Sequence, residues 1–552
     1  METPAKNTWG RDMKKNKRYR KICAAALAGI LLAGSCLLQN AEAAPPSYLK
    51  AATYVSDAWV SNFWNTESDH MEEELAQIAA DGFNSIILVI PWREFQPTMV
   101  PIAYNDYAFK KFDKVMRAAD NQGLGVELRI GYTWDYYGDD ASALRFRELL
   151  RDAGAKEAWM DYARKLYQIA SAYPCFHGGF ITWEDFWNYV EDASGFGTGQ
   201  YSRDEAKKIG YQSYLKEHYT LEELNESYRP SEPFTSYSDV YIPRRSQYAY
   251  KLFYEFYDDF LLGLLKDTQK VFPNLSMEVR LDVDPVDSKD GSGGKEGVPH
   301  YQTFSCGDSA YTSLMYSVSM GHDFNQSISA AEAIKTMNEQ LAVVREHNGG
   351  KPIFIDQLLY MDATENFSHN ARLHESHRGP FLTALPDTLR TYTNGYAIWT
   401  YRNYTNNPVY NSQFALGARG WEVSRGTTTE RNGSTMMRLQ AGGKISQKVG
   451  HRISGRNTHE NHVRFTVDSD APATVTVTLG RTSRQVEVDG AQQFDINFGE
   501  VSYYEVSFST DGEVYLDNIH VYNFVQDGQL YDIDGNELSC LPSMRTLNGS
   551  MN

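Results

Sequence analysis

Two carboxylic acids stand between large aromatic side chains in the segment GGFITWEDFWN, residues 178–188. Glu184 and Asp185 follow a short apolar run, at the point where a strand is expected to end. Aromatic neighbours exclude water from a carboxyl group and thereby favour its protonated form. With Trp183 and Trp187 beside it, Glu184 is a candidate proton donor. The alternative is a surface acid next to a buried aromatic cluster.

Further carboxylates occur in two other apolar segments. Asp356 lies in PIFIDQLL, and SMEVRLDV carries Glu278, Arg280 and Asp282 at a spacing of two, hence on one face of a strand. A protonated and an ionised carboxyl group that face each other form the pair that cleaves glycosidic bonds. Two other interpretations stay open. Glu278 and Arg280 fit an ion pair inside a barrel, and Asp356 fits a structural acid that bonds loop amides.

Eight apolar segments alternate with helix-like segments along most of the chain. This order predicts an α/β fold in which eight parallel strands close into a (β/α)8 TIM barrel. An open doubly wound sheet is the alternative, but no glycine-rich dinucleotide loop follows any of the strands. The expected strands are 51–60, 85–90, 124–131, 178–183, 276–283, 313–319, 352–359 and 395–401.

The C-terminal ends of the strands hold the functional residues of such a barrel. Here these ends collect carboxylates, an arginine and aromatic rings, and no Ser/His/Asp order, HExxH motif or phosphate-binding loop competes with them. The candidate catalytic residues are Glu184 and Asp356. The candidate substrate-binding residues are Trp92, Arg93, Trp134, Trp183, Trp187, Asp282, Tyr316 and Trp399.

Two segments carry a family resemblance. IILVIPWREFQP and YNDYAFKKFDKVMRAADNQGLGVELRIG resemble the second and third strand units of clan A glycoside hydrolases, especially the β-galactosidase-like branches. The resemblance covers residues 50–405 in outline, and the motifs match over 85–134. It implies that Glu184 is the acid/base, that Asp356 is the nucleophile, and that hydrolysis proceeds with retention and without a cofactor. It also implies places in the sugar site for Arg93, Tyr316 and Trp399.

Two positions depart from the pattern of that clan. Trp183 stands where the clan usually has an asparagine that binds the sugar 2-hydroxyl, and Asp356 stands where it has glutamate. Either change is compatible with a different sugar, a shifted strand register or lost activity. Glu278 and Asp282 are the alternative nucleophiles.

The first 43 residues have the features of a secretory signal peptide. A basic segment, KKNKRYRK, precedes the apolar stretch ICAAALAGILLAGSCLL, and Ala41-Glu42-Ala43 forms an A-x-A cleavage site. We expect the mature protein to be secreted or cell-surface, with no membrane insertion after cleavage. An uncleaved anchor and a lipoprotein modified at Cys36 are the alternatives.

Charge and cysteine content narrow the class of partner. The chain has a formal net charge of −18, and the signal segment is basic, so the mature chain is more acidic still. Nucleic acids and anionic membranes reward positive charge, so we expect neither as a partner. Cys175, Cys306 and Cys540 are far apart in the sequence and indicate neither a disulfide framework nor a metal site.

After residue 410 the sequence changes to short alternating strands rich in Thr, Val and Gly, which predicts an all-β sandwich. Residues 411–524 resemble jelly-roll carbohydrate-binding modules. The resemblance implies a possible structural calcium near Asp517, and a purely structural sandwich is an equal alternative. Residues 525–552 are expected to form a loosely attached C-terminal tail.

The sequence therefore predicts a secreted glycoside hydrolase with a catalytic barrel over residues 44–410. The high aromatic content, 13% of residues, favours an oligo- or polysaccharide as the ligand. The alternative function is a non-catalytic polysaccharide-binding or polysaccharide-assembly protein built on a degenerate glycosidase barrel.

Overall fold

The structure is a computed structural model. It describes residues 48–67, 70–133, 142–361, 368–449 and 460–551, with the backbone alone for Ser142, Ala143, Trp183 and Asp185. The predicted signal peptide therefore lies outside the described residues. None of the helices within these ranges is long and apolar enough to span a bilayer.

Eight strands form a closed parallel barrel in the order β1-β12-β10-β8-β5-β4-β3-β2. The barrel strands are almost entirely buried, because helices cover their outer faces and side chains fill the interior. The barrel strands are β1 (Leu49–Thr53), β2 (Ser85–Pro91), β3 (Gly125–Tyr132), β4 (Phe176–Ile181), β5 (Ser276–Val279), β8 (Thr312–Ser317), β10 (Ile353–Leu359) and β12 (Thr393–Ile398), and the intervening short strands are β6 (Asp284–Asp287), β7 (Lys295–Val298), β9 (Ser327–Ile328) and β11 (Arg372–Leu373).

Helices lie between the barrel strands and in a long insertion between β4 and β5. In chain order they are α1 (Val60–Phe63), α2 (Met71–Ala80), α3 (Trp92–Phe95), α4 (Asp106–Asn121), α5 (Ser142–Arg151), α6 (Ala153–Ala170), α7 (Trp183–Ala193), α8 (Gln200–Lys208), α9 (Tyr211–His218), α10 (Leu221–Tyr228), α11 (Tyr250–Gln269), α12 (Ala330–His347), α13 (Arg378–Ala384), α14 (Pro386–Tyr392) and α15 (Leu541–Ser550).

The structure confirms the predicted (β/α)8 barrel, and each of the eight expected segments overlaps a barrel strand. The fifth strand is shorter than expected. It ends at Val279, so Arg280 and Asp282 lie in a loop rather than on the strand. The chain then forms an antiparallel hairpin of β6 and β7.

An antiparallel sheet with its own hydrophobic core follows the barrel and confirms the predicted all-β region. Its strand β15 pairs with β21 through Met437–Leu439 and with β20 through Lys444–Lys448, so it connects the two halves of the sheet. The strands are β13 (Tyr404–Asn406), β14 (Glu422–Arg431), β15 (Ser434–Lys448), β16 (Asn461–Asp468), β17 (Ala473–Leu479), β18 (Thr482–Val488), β19 (Gln492–Gly499), β20 (Glu505–Thr510) and β21 (Val514–Val525).

The chain returns to the barrel after β21, which corrects the expectation of a loosely attached tail. Leu541, Met544 and Leu547 of α15 are buried in the same hydrophobic cluster as the barrel strands. Arg545 forms an ion pair with buried Asp81 at 2.8 Å. The apolar side of a short helix thus completes the outer layer of the barrel, a contact that the polar C-terminal sequence does not suggest.

Candidate active site

Arg129 is the centre of a charged cluster at one end of the barrel. It lies two residues after Glu127 on β3, so both side chains share one face of the strand. The Arg129 side chain is 2% exposed, and its Nη2 donates to Glu184 Oε2 at 2.9 Å and to Thr182 Oγ1 at 2.8 Å. The same nitrogen lies 3.8 Å from Glu278 Oε2. Two carboxylates therefore share one buried guanidinium group.

Glu184 is the accessible member of this cluster. It is the second residue of α7, directly after β4, and its side chain is one-third exposed. Its backbone N–H donates to Glu278 Oε1 at 3.2 Å, which links the start of α7 to β5. Glu184 is thus held near the end of the barrel with its carboxylate open to a ligand.

Asp356 reaches the cluster through a β-bulge in β10. Ile355 aligns with Leu314 of β8 and Gln357 aligns with Met315, so Asp356 is the extra residue of the bulge. A bulge redirects the side chain of the extra residue. Asp356 is completely buried, and neither of its carboxylate oxygens has a hydrogen-bond partner in the described part of the chain.

The surroundings of Asp356 favour its protonated form. Burial raises the pKa of its carboxyl group well above the usual range, and the negative charges of Glu278 and Glu184 raise it further. The positive charge of Arg129 acts in the opposite direction, and burial remains the largest effect. The environment of Asp356 therefore favours the protonated form of its carboxyl group.

A further buried acid, Glu127, lies deeper in the barrel. Glu127 Oε2 accepts a hydrogen bond from Tyr311 Oη at 3.0 Å, and Tyr311 also donates to the carbonyl oxygen of Gly179 at 3.1 Å. Burial raises the pKa of Glu127 to about 8, and the hydrogen bond from Tyr311 acts in the opposite direction. Glu127 is 1% exposed and is part of the packing beneath Arg129, so a ligand at the barrel end does not reach it.

Several residues that the sequence placed in a sugar site lie elsewhere. Trp92 is completely buried in a ring cluster with Phe146, Trp159 and Tyr162, and its assignment to substrate binding stays a prediction. Tyr316 is also completely buried.

Tyr316 shares its side of β8 with Thr312, and this side faces the helices rather than the barrel interior. Thr312 Oγ1 donates to the carbonyl oxygen of Phe304 and accepts a hydrogen bond from Asn348, both outside the strands. Burial alone raises the pKa of Tyr316, with no contribution from the carboxylate cluster. The structure thus places Tyr316 on the helix side of β8, and its role in substrate binding stays a prediction.

Arg93 and Trp399 lie at the same end of the barrel as the cluster, nearer to β1 and β2. Arg93 pairs with Glu94 at 3.2 Å, lies over the ring of Tyr410 at 4.3 Å, and lines a polar cavity of about 30 Å³. Trp399 is partly buried and contacts Trp59 edge-on, with 5.7 Å between ring centroids. Both residues remain candidates for contacts with a ligand.

The other predicted binding residues have mixed outcomes. Trp187 is 8% exposed and packs in a charged network around the β6–β7 hairpin, rather than forming an open platform. Asp282 is exposed and lies 3.8 Å from Arg280. Trp134 lies outside the described residues, as does the side chain of Trp183.

The expected ion pair between Glu278 and Arg280 is not formed, since Glu278 lies beside Arg129 and Arg280 pairs with Asp284 at 2.7 Å.

Sequence reasoning missed Arg129 although the signal was present. The alternation in VELRIG places Glu127 and Arg129 together on one side of β3. Gln357, whose buried Nε2 has no partner in the described structure, was also missed because a bulge leaves no mark in the sequence.

The side chains of the described residues do not form a group of three or more His, Cys, Asp or Glu that would hold a metal ion. Asp517 accepts hydrogen bonds from Ser434 Oγ at 2.6 Å and from the Asn518 backbone N–H at 2.8 Å. Calcium prefers six to eight oxygen ligands. A structural calcium at Asp517 stays a prediction.

Cys175, Cys306 and Cys540 are buried free thiols. Burial raises the pKa of all three thiols, so each is held in its unreactive protonated form.

A closed parallel barrel that carries carboxylates at the ends of its strands is an architecture found among glycoside hydrolases. Similar solved structures include GH5_18 from Streptomyces cattleya in complex with GlcNAc, at 15% identity over 65% of this chain and 71% of that chain, with a TM-score of 0.39. The cold-adapted β-galactosidase from Rahnella sp. R3 matches at 13% identity over 65% of this chain and 51% of that chain, with a TM-score of 0.47.

The exo-β-1,4-mannosidase Op5Man5 from Opitutaceae bacterium strain TAV5 matches at 11% identity over 65% of this chain and 52% of that chain, with a TM-score of 0.40. The match thus spans about half the length of the β-galactosidase and mannosidase chains. No protein-family profile and no curated protein sequence matches this chain. The likeness to the solved structures is one of fold.

Proposed function

We propose that this chain is a secreted glycoside hydrolase that cleaves an oligo- or polysaccharide at the C-terminal end of the barrel strands. The observation that carries the proposal is the convergence of Glu184, Glu278 and Asp356 around Arg129. Glycosidic cleavage needs a protonated and an ionised carboxyl group near each other, and this cluster supplies both from protein side chains. The signal-like N-terminus supports secretion.

The free protein favours the protonated form of one carboxyl group of the cluster. Burial and the neighbouring negative charges raise the pKa of Asp356. A sugar that covers Glu184 would remove water from it and favour transfer of the proton from Asp356 to Glu184.

In the proposed mechanism, Glu184 then protonates the leaving oxygen while ionised Asp356 attacks the anomeric carbon. The bond to the leaving group breaks as the bond to Asp356 forms. Water next attacks the glycosyl-enzyme, Glu184 removes its proton, and the sugar leaves with retained configuration. Asp356 is completely buried in the free protein, so binding must also uncover it.

The test compares Glu184→Gln and Asp356→Asn with the wild-type mature chain on 4-nitrophenyl glycosides and a panel of polysaccharides. Loss of the acid/base should lower turnover of a responsive substrate by about 10²–10⁴-fold while binding persists. The Glu184→Gln variant should retain more activity on a 2,4-dinitrophenyl glycoside, whose leaving group needs no proton. Asp356→Asn should be inactive on both. Exposed Glu346 provides the matched control, Glu346→Gln.

If the Glu184→Gln variant turns over substrate as fast as the wild type, Glu184 has no role in the mechanism.

The second candidate function is non-catalytic polysaccharide binding. The burial of Asp356 and Glu278, at 0% and 2% exposed, favours it, because neither carboxylate meets a ligand without rearrangement. On that alternative the wild-type chain binds a glycan and leaves every glycosidic bond intact.

A further inference from the structure

A network of charged side chains surrounds Trp187, three residues after Glu184 on α7. The Trp187 ring stacks on Tyr254 of α11 at 5.6 Å with an interplanar angle of 9°. The guanidinium groups of Arg280 and Arg245 lie 4.2 and 4.7 Å from its ring centroid. Residues i and i+3 of a helix lie on the same side, so these contacts hold the side of α7 that carries Glu184.

Both arginines are fixed by one buried carboxylate, Asp284, at the start of the β6–β7 hairpin. Arg280 Nε lies 2.7 Å from Asp284 Oδ2, and Arg245 Nη2 lies 3.1 Å from Asp284 Oδ1. Arg280 Nη2 also donates to Asp284 Oδ1 at 3.2 Å, so Arg280 binds both carboxylate oxygens, and such bidentate geometry fixes direction as well as distance. Arg245 adds a single bond, and Asp284 thereby orients two planar guanidinium groups against the same tryptophan.

His300 is a third partner of Asp284. Its Nε2 lies 3.0 Å from Asp284 Oδ2, and its Nδ1 lies 2.8 Å from Asp258 Oδ2 on α11. His300, Asp284 and Asp258 are 1%, 2% and 4% exposed. A buried pair of carboxylates on either side of one imidazole favours the imidazolium, so the hairpin and α11 are joined by two charge-assisted bonds.

Strand β5 and the loop after it thus contact α7 at two points. Glu278 accepts the backbone N–H of Glu184, and Arg280, two residues later, contacts Trp187. The first contact acts at the start of α7 and the second acts one turn further along. Together they leave the first turn of α7 little freedom to tilt.

We propose that Asp284 and His300 are positioning residues for Glu184, which act through Arg280 and Trp187. They orient the accessible acid of the proposed glycosidase without touching the substrate. An effect of Asp284 and His300 on catalysis rests on the proposed function. Their effect on the orientation of the Glu184 side chain does not depend on it. Catalysis is sensitive to such placement, since a displacement of about 1 Å can cost roughly 10²-fold in rate.

The alternative is that the network only stabilises the hairpin. Two variants, Asp284→Asn and His300→Gln, distinguish these roles in the full mature chain. Asp287→Asn is the matched control, because Asp287 lies in the same hairpin and pairs with Lys295 at the surface. The probe is the side-chain carboxyl ¹³C signal of Glu184, assigned by its absence from Glu184→Gln and followed as a function of pH.

We expect the apparent pKa of Glu184 to move by about half a unit or more in Asp284→Asn and His300→Gln, and not in Asp287→Asn. With a glycoside that the wild-type enzyme turns over, kcat should fall about tenfold or more while KM stays within about twofold. A lower melting temperature with an unchanged Glu184 titration and unchanged kcat would overturn the proposal.

If the Asp284→Asn variant does not fold, the Arg280→Lys variant takes its place in the same measurement. Lysine keeps the charge beside Asp284 but loses the planar group over Trp187, so the same shift in the Glu184 titration is expected. An unchanged titration would overturn the proposal. The carboxyl signal of Glu184 can be measured without turnover. If the chain cleaves no glycoside, the proposed function is refuted, and the positioning of Glu184 is still tested by the NMR titration.

Discussion

At the scale of single residues, the positive charge of Arg129 allows three carboxyl groups to lie close together at one end of the barrel. Its guanidinium is buried and contacts Glu184 and Glu278. Without it these acids would repel one another in a region of low dielectric constant. The charge of Arg129 and the raised pKa of Asp356 both limit the negative charge of this largely buried cluster.

Replacing Arg129 with methionine should strongly destabilise the protein. Removing one partner of a buried ion pair leaves an uncompensated charge, at a cost of about 3 kcal/mol in the free energy of unfolding. The control is Arg117→Met, which removes the exposed pair with Asp113 on α4. Chemical denaturation of both variants at pH 7 measures the effect. Equal stability of the two variants would show that Arg129 is not the counterion of the cluster.

The sequence predicted the carboxylic acids of this site but not the residues that contact them. Glu184 and Asp356 were both found from their position at strand ends, and the structure places both near Arg129. The arginine itself was passed over, although its alternation with Glu127 was visible. The bulge at Asp356 depends on pairing with β8 and β12, so no local pattern predicts it.

At the scale of elements, the β6–β7 hairpin depends on the charge of His300. The neighbouring carboxylates raise the pKa of His300 to about 9, against an ordinary value of 6.5, although burial acts in the opposite direction. The charged and titratable groups that surround His300 and its partner Asp284 are Asp258 and Tyr254 of α11, Arg280 after β5 and Arg245 before α11.

We expect this link to stabilise the fold fully below pH 6.5 and to be lost as the pH rises to about 9. In that window the folded protein retains a proton that the unfolded chain has released, so the free energy of unfolding falls with increasing pH. His300→Gln carries no charge at any pH and should lose this part of the dependence. Melting temperatures between pH 6 and pH 10 provide the measurement. Parallel curves for variant and wild type would contradict the expectation.

Strand positions were predictable, and strand ends were less so. The apolar run at 85–90 matches β2 within one residue, because a buried parallel strand is apolar on both faces. In SMEVRLDV the alternation continues beyond the true end of β5 at Val279. There Arg280 turns to Asp284 on the hairpin, a tertiary contact that a period-two pattern cannot distinguish from a strand.

At the scale of the whole molecule, the barrel and the antiparallel sheet are connected by backbone pairing and side-chain bonds. Strand β13, directly after the barrel, pairs with β21 of the sheet. Ser412 Oγ donates to the carbonyl oxygen of Asn65, and Arg419 donates to that of Pro97. These bonds attach the sheet to the loops that follow β1 and β2, at the end of the barrel that holds the proposed active site.

Leu547→Ala tests how much α15 contributes to the barrel. Leu547 is 1% exposed and packs in the barrel cluster, so its truncation leaves a cavity and should cost about 2–5 kcal/mol. Thr546→Ala, on the exposed side of the same helix, should leave the melting temperature nearly unchanged. Thermal unfolding of the two variants measures the difference. Similar melting temperatures would mean that the helix is dispensable.

The position of α15 also affects how the protein is made. Lys50 Nζ of β1 donates to the backbone carbonyl oxygen of Asn548 at 3.1 Å, and Asn548 Nδ2 donates to that of Asp81 at 2.8 Å. The first strand of the barrel thus bonds to a helix that is synthesised some five hundred residues later. A growing chain that has not yet reached α15 exposes the apolar surface that this helix covers, so we expect the incomplete chain to be more prone to aggregation than the full chain.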